Sequence, residues 1–238
     1  ILRYAEDQNG HAMKTKLVFK YTYTNDYQLK RKVRFVVCGY SQIPELDYGE
    51  TYAPTTMSTV TNMISLFCAH KDYHMATFDV EAAFLEGRAD RQLFARIPKC
   101  LDKDGTRVEI VGNWYGLKQG PRIWNDQLNT ILLKIGFERC PVHPCLYARR
   151  RNNVHILIGV HVDDGLMGCN KKDAFIAFQD EFCQYVTAAK VSDTVLKFTG
   201  TTMTVNREEH YVRLDHAVYI KQRFKDFTKA SPRLRQSL

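Results

Sequence analysis

Two apolar runs flank Asp163, Asp164 and Gly165 in the segment 154–169, and this pattern constrains the fold more than any other in the chain. The first run is rich in Val, Ile and Leu without a helical period, which predicts a buried strand. Asp-Gly between two such runs predicts a β-hairpin with these residues at its tip. Adjacent carboxylates at that tip repel each other unless a cation lies between them. The segment therefore indicates either a tight turn or one side of a divalent-metal site.

The composition indicates a chain with a sizeable core and a moderate basic excess. The 238 residues include 34 Lys and Arg against 26 Asp and Glu, a net charge of +8. That excess is compatible with a polyanionic partner. No apolar run approaches the roughly 20 residues that a transmembrane helix needs, and no signal-peptide pattern opens the chain, so we expect no membrane partner. Because the chain opens with Ile1, we expect it to be a piece of a longer protein.

The seven cysteines are scattered along the chain without paired short spacings. This usage predicts reduced thiols in an intracellular protein. Cys140, His143 and Cys145 form the one cluster that resembles a metal site. A zinc site needs a second pair of ligands, and none stands nearby in the sequence.

Periodic apolar patterns predict an alternation of strands and helices. A helix capped by Ser58 or Thr59 is expected to bury Val60, Met63, Ile64 and Phe67. Further helices are predicted from Pro121 to a Gly136 cap, from an Asn170 cap to 183 with Phe175, Phe178 and Phe182 inward, and after an Asp215 cap. Outside the 154–169 hairpin, the predicted strands are 17–23, 33–38, 74–80, 92–96, 107–111, 196–205 and 210–214, with Asn25-Asp26 as the first turn.

The predicted strand 74–80 brings in a third carboxylate, Asp79. The alternation of predicted strands and helices favours an α+β layer with helices on one face of a mainly antiparallel sheet. If strand 74–80 neighbours the hairpin, Asp79, Asp163 and Asp164 meet at one edge. Carboxylates of that kind suit Mg²⁺, and two such ions support phosphoryl transfer. The residues alone leave open that Asp79 is only a helix cap.

Six ordered blocks of the sequence resemble the reverse transcriptase domain of copia-type retrotransposon Pol polyproteins. The blocks lie at 32–42, 47–54, 78–85, 115–121 followed by Trp124, 144–147 and 160–164. Four positions depart from that resemblance: the family usually has Tyr at His161, Lys at Cys38, Ala at Gly120 and Lys at Glu81.

The resemblance implies a right-hand polymerase palm, with a ferredoxin-like antiparallel sheet and helices on one face, plus fingers, and a thumb that is mostly absent. It implies fingers at 1–53 and 87–114, palm at 54–86 and 115–214, and the start of a thumb or connection at 215–238. The implied activity is RNA-directed DNA polymerase, a nucleotidyltransferase that adds dNTPs to a primer 3′-hydroxyl.

The resemblance also implies roles for particular residues. Asp79, Asp163 and Asp164 would be catalytic and, with Val80, would hold two Mg²⁺ ions, with Mn²⁺ as an alternative. The implied dNTP-binding residues are Lys32, Arg34, Phe84, Tyr115 and Gly116. The implied primer and template residues are His161, Val162, Lys118 and Gln119.

The implied partners are an RNA template, a DNA primer/template duplex, dNTPs and the remainder of the Pol polyprotein, with its integrase and ribonuclease H. The implied location is intracellular, in a cytoplasmic virus-like particle if the element is active. Two alternatives stay open: a catalytically decayed, nucleic-acid-binding remnant of the same domain, and a metal-dependent nuclease. The nuclease leaves the blocks at 32–42 and 115–121 unexplained.

Overall fold

The computed structural model describes residues 2–23, 29–194 and 196–230, which form a mixed α/β fold of antiparallel sheets with few helices. The α-helices of these described residues are α1 (Ser58–Lys71), α2 (Gly120–Lys134), α3 (Ala174–Phe182) and α4 (Ala217–Ala230). The strands are β1 (Leu2–Tyr4), β2 (Thr15–Tyr23), β3 (Leu29–Val37), β4 (His74–Val80), β5 (Arg88–Arg96), β6 (Arg107–Gly112), β7 (Glu138–Arg139), β8 (Leu146–Arg151), β9 (Val154–His161), β10 (Asp164–Cys169), β11 (Ala189–Ser192), β12 (Leu196–Phe198), β13 (Thr201–Asn206) and β14 (Tyr211–Asp215).

The chain divides into two compact units. The first comprises Ile1–Pro54 and Ala82–Thr130, and the second comprises Thr55–Glu81 and Ile131–Leu238. The predicted boundary at 53/54 lies next to the first division, whereas the predicted boundary at 114/115 lies inside the first unit. The fingers, palm and thumb assignments stay predictions. No helix of the described residues is both long and apolar enough to cross a membrane.

A six-stranded antiparallel sheet forms the centre of the second unit, in the order β11-β4-β10-β9-β8-β7. Core residues of α1 cluster with Met75 and Leu166 of this sheet. On α3, the rings of Phe178 and Phe182 pack against Phe78 at centroid distances of 5.5 and 5.7 Å. Because side chains alternate along a strand, Met75 and Phe78 point to opposite faces. Helices α1 and α3 therefore cover opposite faces, and the prediction of helices on one face is wrong.

Helix α1 begins at Ser58, but its cap and its buried face differ from the prediction. The N-cap residue is Met57, and no side chain caps the helix. Met63 and Phe67 are exposed. The helix instead buries residues spaced four apart. Gly159 of β9 lets α1 approach the sheet closely, because a Cβ at Gly159 would lie within 3.0 Å of two α1 side chains. The buried residues of α1 are Val60, Thr61, Ile64, Ser65 and Cys68.

The predicted caps of the two later helices have different outcomes. Asn170 does not cap α3, because its side chain joins the ends of β9 and β10: Oδ1 accepts from the His155 N–H at 2.8 Å. The inward face of α3 is confirmed, with Phe175, Phe178 and Phe182 buried. Asp215 lies one residue before the N-cap position of α4, which is His216, but its Oδ1 accepts from the Ala217 N–H at 2.5 Å and so bonds the first turn of the helix.

The first unit contains a two-stranded ribbon and a three-stranded sheet. The ribbon pairs β2 with β3, which confirms the predicted hairpin, while the predicted turn at Asn25-Asp26 lies outside the described residues. The sheet has the order β1-β6-β5. Helix α2 starts with Gly120 and Pro121, and Gly136 follows its end with a φ of 87°, so both predicted boundary signals are confirmed.

Candidate active site

The hairpin tip in the second unit lies two residues earlier than the Asp-Gly signal predicts. Asp164 pairs with His161 across β9 and β10, so the two turn residues are Val162 and Asp163. Val162 has a φ of 57°, a left-handed conformation that costs a β-branched residue about 1–3 kcal/mol. Asp164 and Gly165 are the first residues of β10. The prediction that Asp164-Gly165 makes the turn is therefore wrong, although the hairpin itself is confirmed.

Gly165 is required by packing and not by the turn. A Cβ at this position would lie 2.0 Å from Cε1 of Phe78, which is opposite it on β4. Phe78 is buried and packs between rings of α3. The glycine thus lets an aromatic ring of the core lie directly beneath the strand that starts with Asp164.

Three carboxylates come together at one edge of this sheet. Asp79 and Asp164 are cross-strand partners on β4 and β10. The Val80 N–H donates to the Asp163 carbonyl oxygen at 3.0 Å, which ties the hairpin tip to the end of β4. On its other side, Asp79 lies opposite Lys190 of β11. The sequence argument missed Lys190, because the short strand β11 has too few residues to give a periodic signal.

Negative charge is concentrated at this edge, where the three carboxylates lie near one another. The pKa of Asp164 is raised from 3.8 to about 6, first by burial, and then by the negative charges of Asp163 and Asp79. A side-chain hydrogen bond to Asp79 raises the pKa further, because it favours the protonated form of Asp164. Protonation of Asp164 near pH 6 therefore reduces the repulsion between these carboxylates, and a bound cation could do the same.

The donor set fits a hard divalent cation. Carboxylate oxygens are the ligands that Mg²⁺ prefers. After burial, the negative charges of Asp163 and Asp79 are the next causes of the raised pKa of Asp164, and a cation would relieve their repulsion. In the side-chain conformations of the described residues, no three His, Cys, Asp or Glu converge on a common point as ready metal ligands. Cation binding would therefore require rotation of the carboxylates. The Cys140, His143 and Cys145 group is likewise no such cluster.

The first unit holds a second group of predicted site residues. The Arg34 guanidinium lies 5.7 Å from the ring centroid of Tyr115, and the Phe84 ring lies 5.7 Å from the same ring. Arg34 is half-buried, and its Nε is a buried donor without a hydrogen-bond partner among the described residues. An unpaired donor of this kind is costly, and an anionic ligand would satisfy it.

The loop carrying Tyr115 is fixed to strand β3. The Val37 N–H donates to the Tyr115 carbonyl at 2.8 Å, and the Trp114 Nε1–H donates to the Phe35 carbonyl at 2.8 Å. Gly116 has a φ of 91°, and a Cβ there would lie 2.0 Å from the Val37 carbonyl oxygen. Only glycine allows this approach, so Gly116 positions the Tyr115 ring beside Arg34.

The remaining predicted site residues have varied surroundings. Lys32 is exposed on β3, two residues before Arg34. Lys118 is also exposed, and its Nζ donates to the Tyr48 hydroxyl at 2.9 Å. His161 is half-buried at the end of β9, with its ring 6.4 Å from that of Phe198.

Gln119 is fully buried, and its side chain faces the interior of the first unit. Its Nε2 donates to the Asp47 carbonyl at 2.8 Å, and its Oε1 accepts from Gln42 at 2.9 Å. Gln42 also accepts from the Lys118 N–H at 2.8 Å. These bonds give Gln119 a structural role in this conformation, and its template contact stays a prediction. The sequence argument included Gln42 in the block 32–42 but assigned it no role.

Comparison with known proteins gives the family. A family model described as reverse transcriptase (RNA-dependent DNA polymerase) matches residues 5–233. The retrovirus-related Pol polyprotein from transposon RE1 of Arabidopsis thaliana is 34% identical over 157 residues, which are 64% of this chain and 11% of the relative. The corresponding polyprotein from transposon TNT 1-94 of Nicotiana tabacum is 30% identical over 161 residues, 65% of this chain and 12% of the relative.

The chain thus spans a small part of the length of these relatives. A solved structure of the foamy viral protease-reverse transcriptase in complex with ds DNA aligns with 84% of this chain and 32% of its own, with a TM-score of 0.40 and 13% identity. On the family match and these copia-type relatives, the chain belongs to the reverse transcriptase (RNA-dependent DNA polymerase) family, as a domain similar to those of copia-type Pol polyproteins.

Proposed function

We propose that this chain catalyses RNA-directed DNA synthesis, in which a primer 3′-hydroxyl attacks the α-phosphate of a dNTP and pyrophosphate leaves. One observation carries the proposal: Asp79 lies opposite Asp164, and Asp163 lies in the adjoining turn. The raised pKa of Asp164 supports a cation-binding role for this edge. The family match supplies the chemistry.

Asp79, Asp163, Asp164 and the Val80 carbonyl would hold two Mg²⁺ ions, or Mn²⁺ in their place. When bound, such ions neutralise charge on the reacting oxygens and on the pyrophosphate. The task of the chain is to keep the carboxylates close together, so that a cation can bind between them. The hydrogen bond from Val80 to Asp163 supports this role, because it fixes the hairpin tip against β4.

Arg34 would bind the triphosphate of the incoming dNTP. Its unpartnered Nε and its fork of donors suit phosphate oxygens. Lys32 would add a second positive charge from the same strand face. Tyr115 and Gly116 would line the nucleotide pocket, and Phe84 would pack against the sugar. The contact between the Phe84 and Tyr115 rings supports their sharing one pocket wall.

The wider assignments follow the family. His161, Val162 and Lys118 would contact the primer/template, and fingers, palm and the start of a thumb would follow the boundaries given by the resemblance. The partners would be an RNA template, a DNA primer/template duplex, dNTPs and the remaining Pol polyprotein. The domain would act inside the cell, in a virus-like particle of an active element.

The test is Mg²⁺-dependent primer extension on an RNA template. The wild-type chain should extend the primer with Mg²⁺ and not with EDTA. Asp163→Asn should abolish extension while keeping the fold and primer/template binding, because an amide cannot neutralise the metal. Asp180→Asn, a change at an exposed α3 position in the same unit, is the matched control and should extend normally.

Three results would count against the proposal. Wild-type protein that binds primer/template but never extends it would indicate the non-catalytic remnant. Full activity of Asp163→Asn would remove Asp163 from the metal site. Degradation of the strands without extension would indicate the nuclease alternative.

A further inference from the structure

The ribbon of β2 and β3 has two chemically different faces. Its register pairs Phe19 with Val33 and Tyr21 with Arg31, and strand alternation puts these four side chains on one face. Phe19 is 61% exposed and Tyr21 is 64% exposed. The opposite face carries Arg34, the candidate triphosphate ligand. The aromatic face is therefore a solvent-exposed surface to which the proposed dNTP site assigns no role.

The aromatic face continues towards the base of the ribbon. Phe35 lies on the same face and packs edge-on against Trp114, with ring centroids 5.6 Å apart at an angle of 76°. Phe19 and Tyr21 are two residues apart on one strand, so their side chains are spaced by about 6.8 Å. Since stacked bases lie about 3.4 Å apart, this spacing leaves room for one base between the two rings.

The charge of the ribbon is strongly positive. Strands β2 and β3 contain no Asp or Glu. The one acid of segment 15–37 is Asp26, which lies outside the described residues. A surface of this charge attracts polyanions. The sequence of the two strands contains six cations, Lys16, Lys20, Lys30, Arg31, Lys32 and Arg34. Arg31 lies on the aromatic face, whereas Lys16, Lys20, Lys32 and Arg34 lie on the opposite face of the same ribbon.

Exposed aromatic rings beside the cation Arg31, on a strand pair of net positive charge, fit one kind of polyanion. Single-stranded nucleic acid exposes the flat faces of its bases, which stack on such rings, whereas a duplex hides them. We infer that the face of the ribbon formed by Phe19, Tyr21 and Arg31 binds single-stranded nucleic acid by base stacking. The inference rests on the proposed function in taking this strand to be the template, and it adds a surface separate from the dNTP face.

The test measures binding of a labelled short oligothymidylate in EDTA without dNTPs. The double variant Phe19→Thr/Tyr21→Thr keeps β-forming residues at exposed positions, so it should fold normally. Its affinity should fall at least about tenfold, because base stacking on both rings is lost. Tyr52→Thr, at a residue 73% exposed outside the ribbon, is the matched control and should bind like wild type.

An abasic oligomer of equal length separates stacking from charge. It should bind wild type and the double variant equally, and Arg31→Thr should weaken binding of both oligomers. As a second measurement, the fluorescence of the indole added in Tyr21→Trp should be quenched by oligothymidylate and not by the abasic oligomer. The inference would be overturned if the double variant lost affinity equally for both oligomers, or lost none for oligothymidylate. It would also be overturned if oligothymidylate did not quench the fluorescence of Tyr21→Trp.

The outcome is independent of catalysis. Asp163→Asn should bind oligothymidylate like wild type, because the aspartate is not on the ribbon. Protein that shows the stacking signal but no primer extension would refute the proposed polymerase activity alone. Protein that extends primers normally but shows no stacking signal would refute only the ribbon surface.

Discussion

Asp79 and Asp164 lie directly opposite each other on adjacent antiparallel strands and share a side-chain hydrogen bond. Two carboxylates in this arrangement cannot both be ionised without a free-energy cost. Burial is the first cause of the raised pKa of Asp164, which is about 6, and the negative charges of Asp163 and Asp79 raise it further. The edge of the sheet is therefore electrostatically strained at neutral pH in the absence of a cation.

The first prediction concerns stability and pH. Because the folded-state pKa of Asp164 is raised from 3.8 to about 6, its protonation favours folding, and this contribution is lost as the pH rises through 6. In EDTA near pH 8, Asp164→Asn should raise the free energy of unfolding by on the order of 1–2 kcal/mol. Below about pH 4 the difference should vanish, because Asp164 is then neutral in both states.

Denaturant melts of both proteins across this pH range are the measurement. Asp180→Asn, on the exposed side of α3, should show no comparable pH-dependent gain. An Asp164→Asn gain that is the same at low and high pH would mean that the charge of Asp164 is not its source.

The second prediction concerns Gly165. Gly165→Ala should lower the melting temperature by about 5 °C or more, because the new Cβ would overlap the buried Phe78 ring and overpacking costs roughly 1–3 kcal/mol. Gly49→Ala is the matched control, since its Cβ would meet only the end of the Arg91 side chain at 3.0 Å. If both variants melt like wild type, Phe78 can move aside and Gly165 is not needed for packing.

The third prediction concerns the triphosphate. Arg34→Ala should raise the dNTP KM or lower kcat/KM by about tenfold or more, with little change in primer/template affinity, because a charge-assisted contact to phosphate is lost. Arg34→Lys should recover part of the effect through charge alone. Lys103→Ala, which removes an exposed cation from a loop of the same unit, serves as the control. Weaker primer/template binding with unchanged dNTP kinetics would assign Arg34 to the nucleic-acid track.

The fourth prediction concerns sugar choice. Phe84→Val should raise ribonucleotide incorporation relative to dNTP use by at least about tenfold, or roughly 1.4 kcal/mol of lost discrimination, because a bulky ring beside C2′ excludes a hydroxyl by steric clash. The measurement is the ratio of kcat/KM for a dNTP and its rNTP on one template. An unchanged ratio in a folded variant would show that Phe84 is not the gate, and an unfolded variant would show that Phe84 is core packing.

The sequence by itself predicted most of the longer elements and the residues that we propose carry the chemistry. Alternating and continuous apolar runs predicted the ribbon of β2 and β3, strand β4, and the β9–β10 hairpin, because backbone geometry imposes these periods locally. The six ordered blocks predicted the reverse transcriptase family, which the match over residues 5–233 confirmed. Asp79, Asp163 and Asp164 were identified at this level.

Only the tertiary structure decided how these residues meet. Local signals favoured Asp164-Gly165 as the turn, but pairing between strands moved the turn to Val162-Asp163, and the Phe78 ring explains the glycine. The buried face of α1 and the opposite placement of α1 and α3 depend on the sheet surface that each helix meets, which no local period encodes. The pairing of Asp79 with Asp164, and hence the raised pKa at that edge, likewise arises from contacts between residues far apart in the chain.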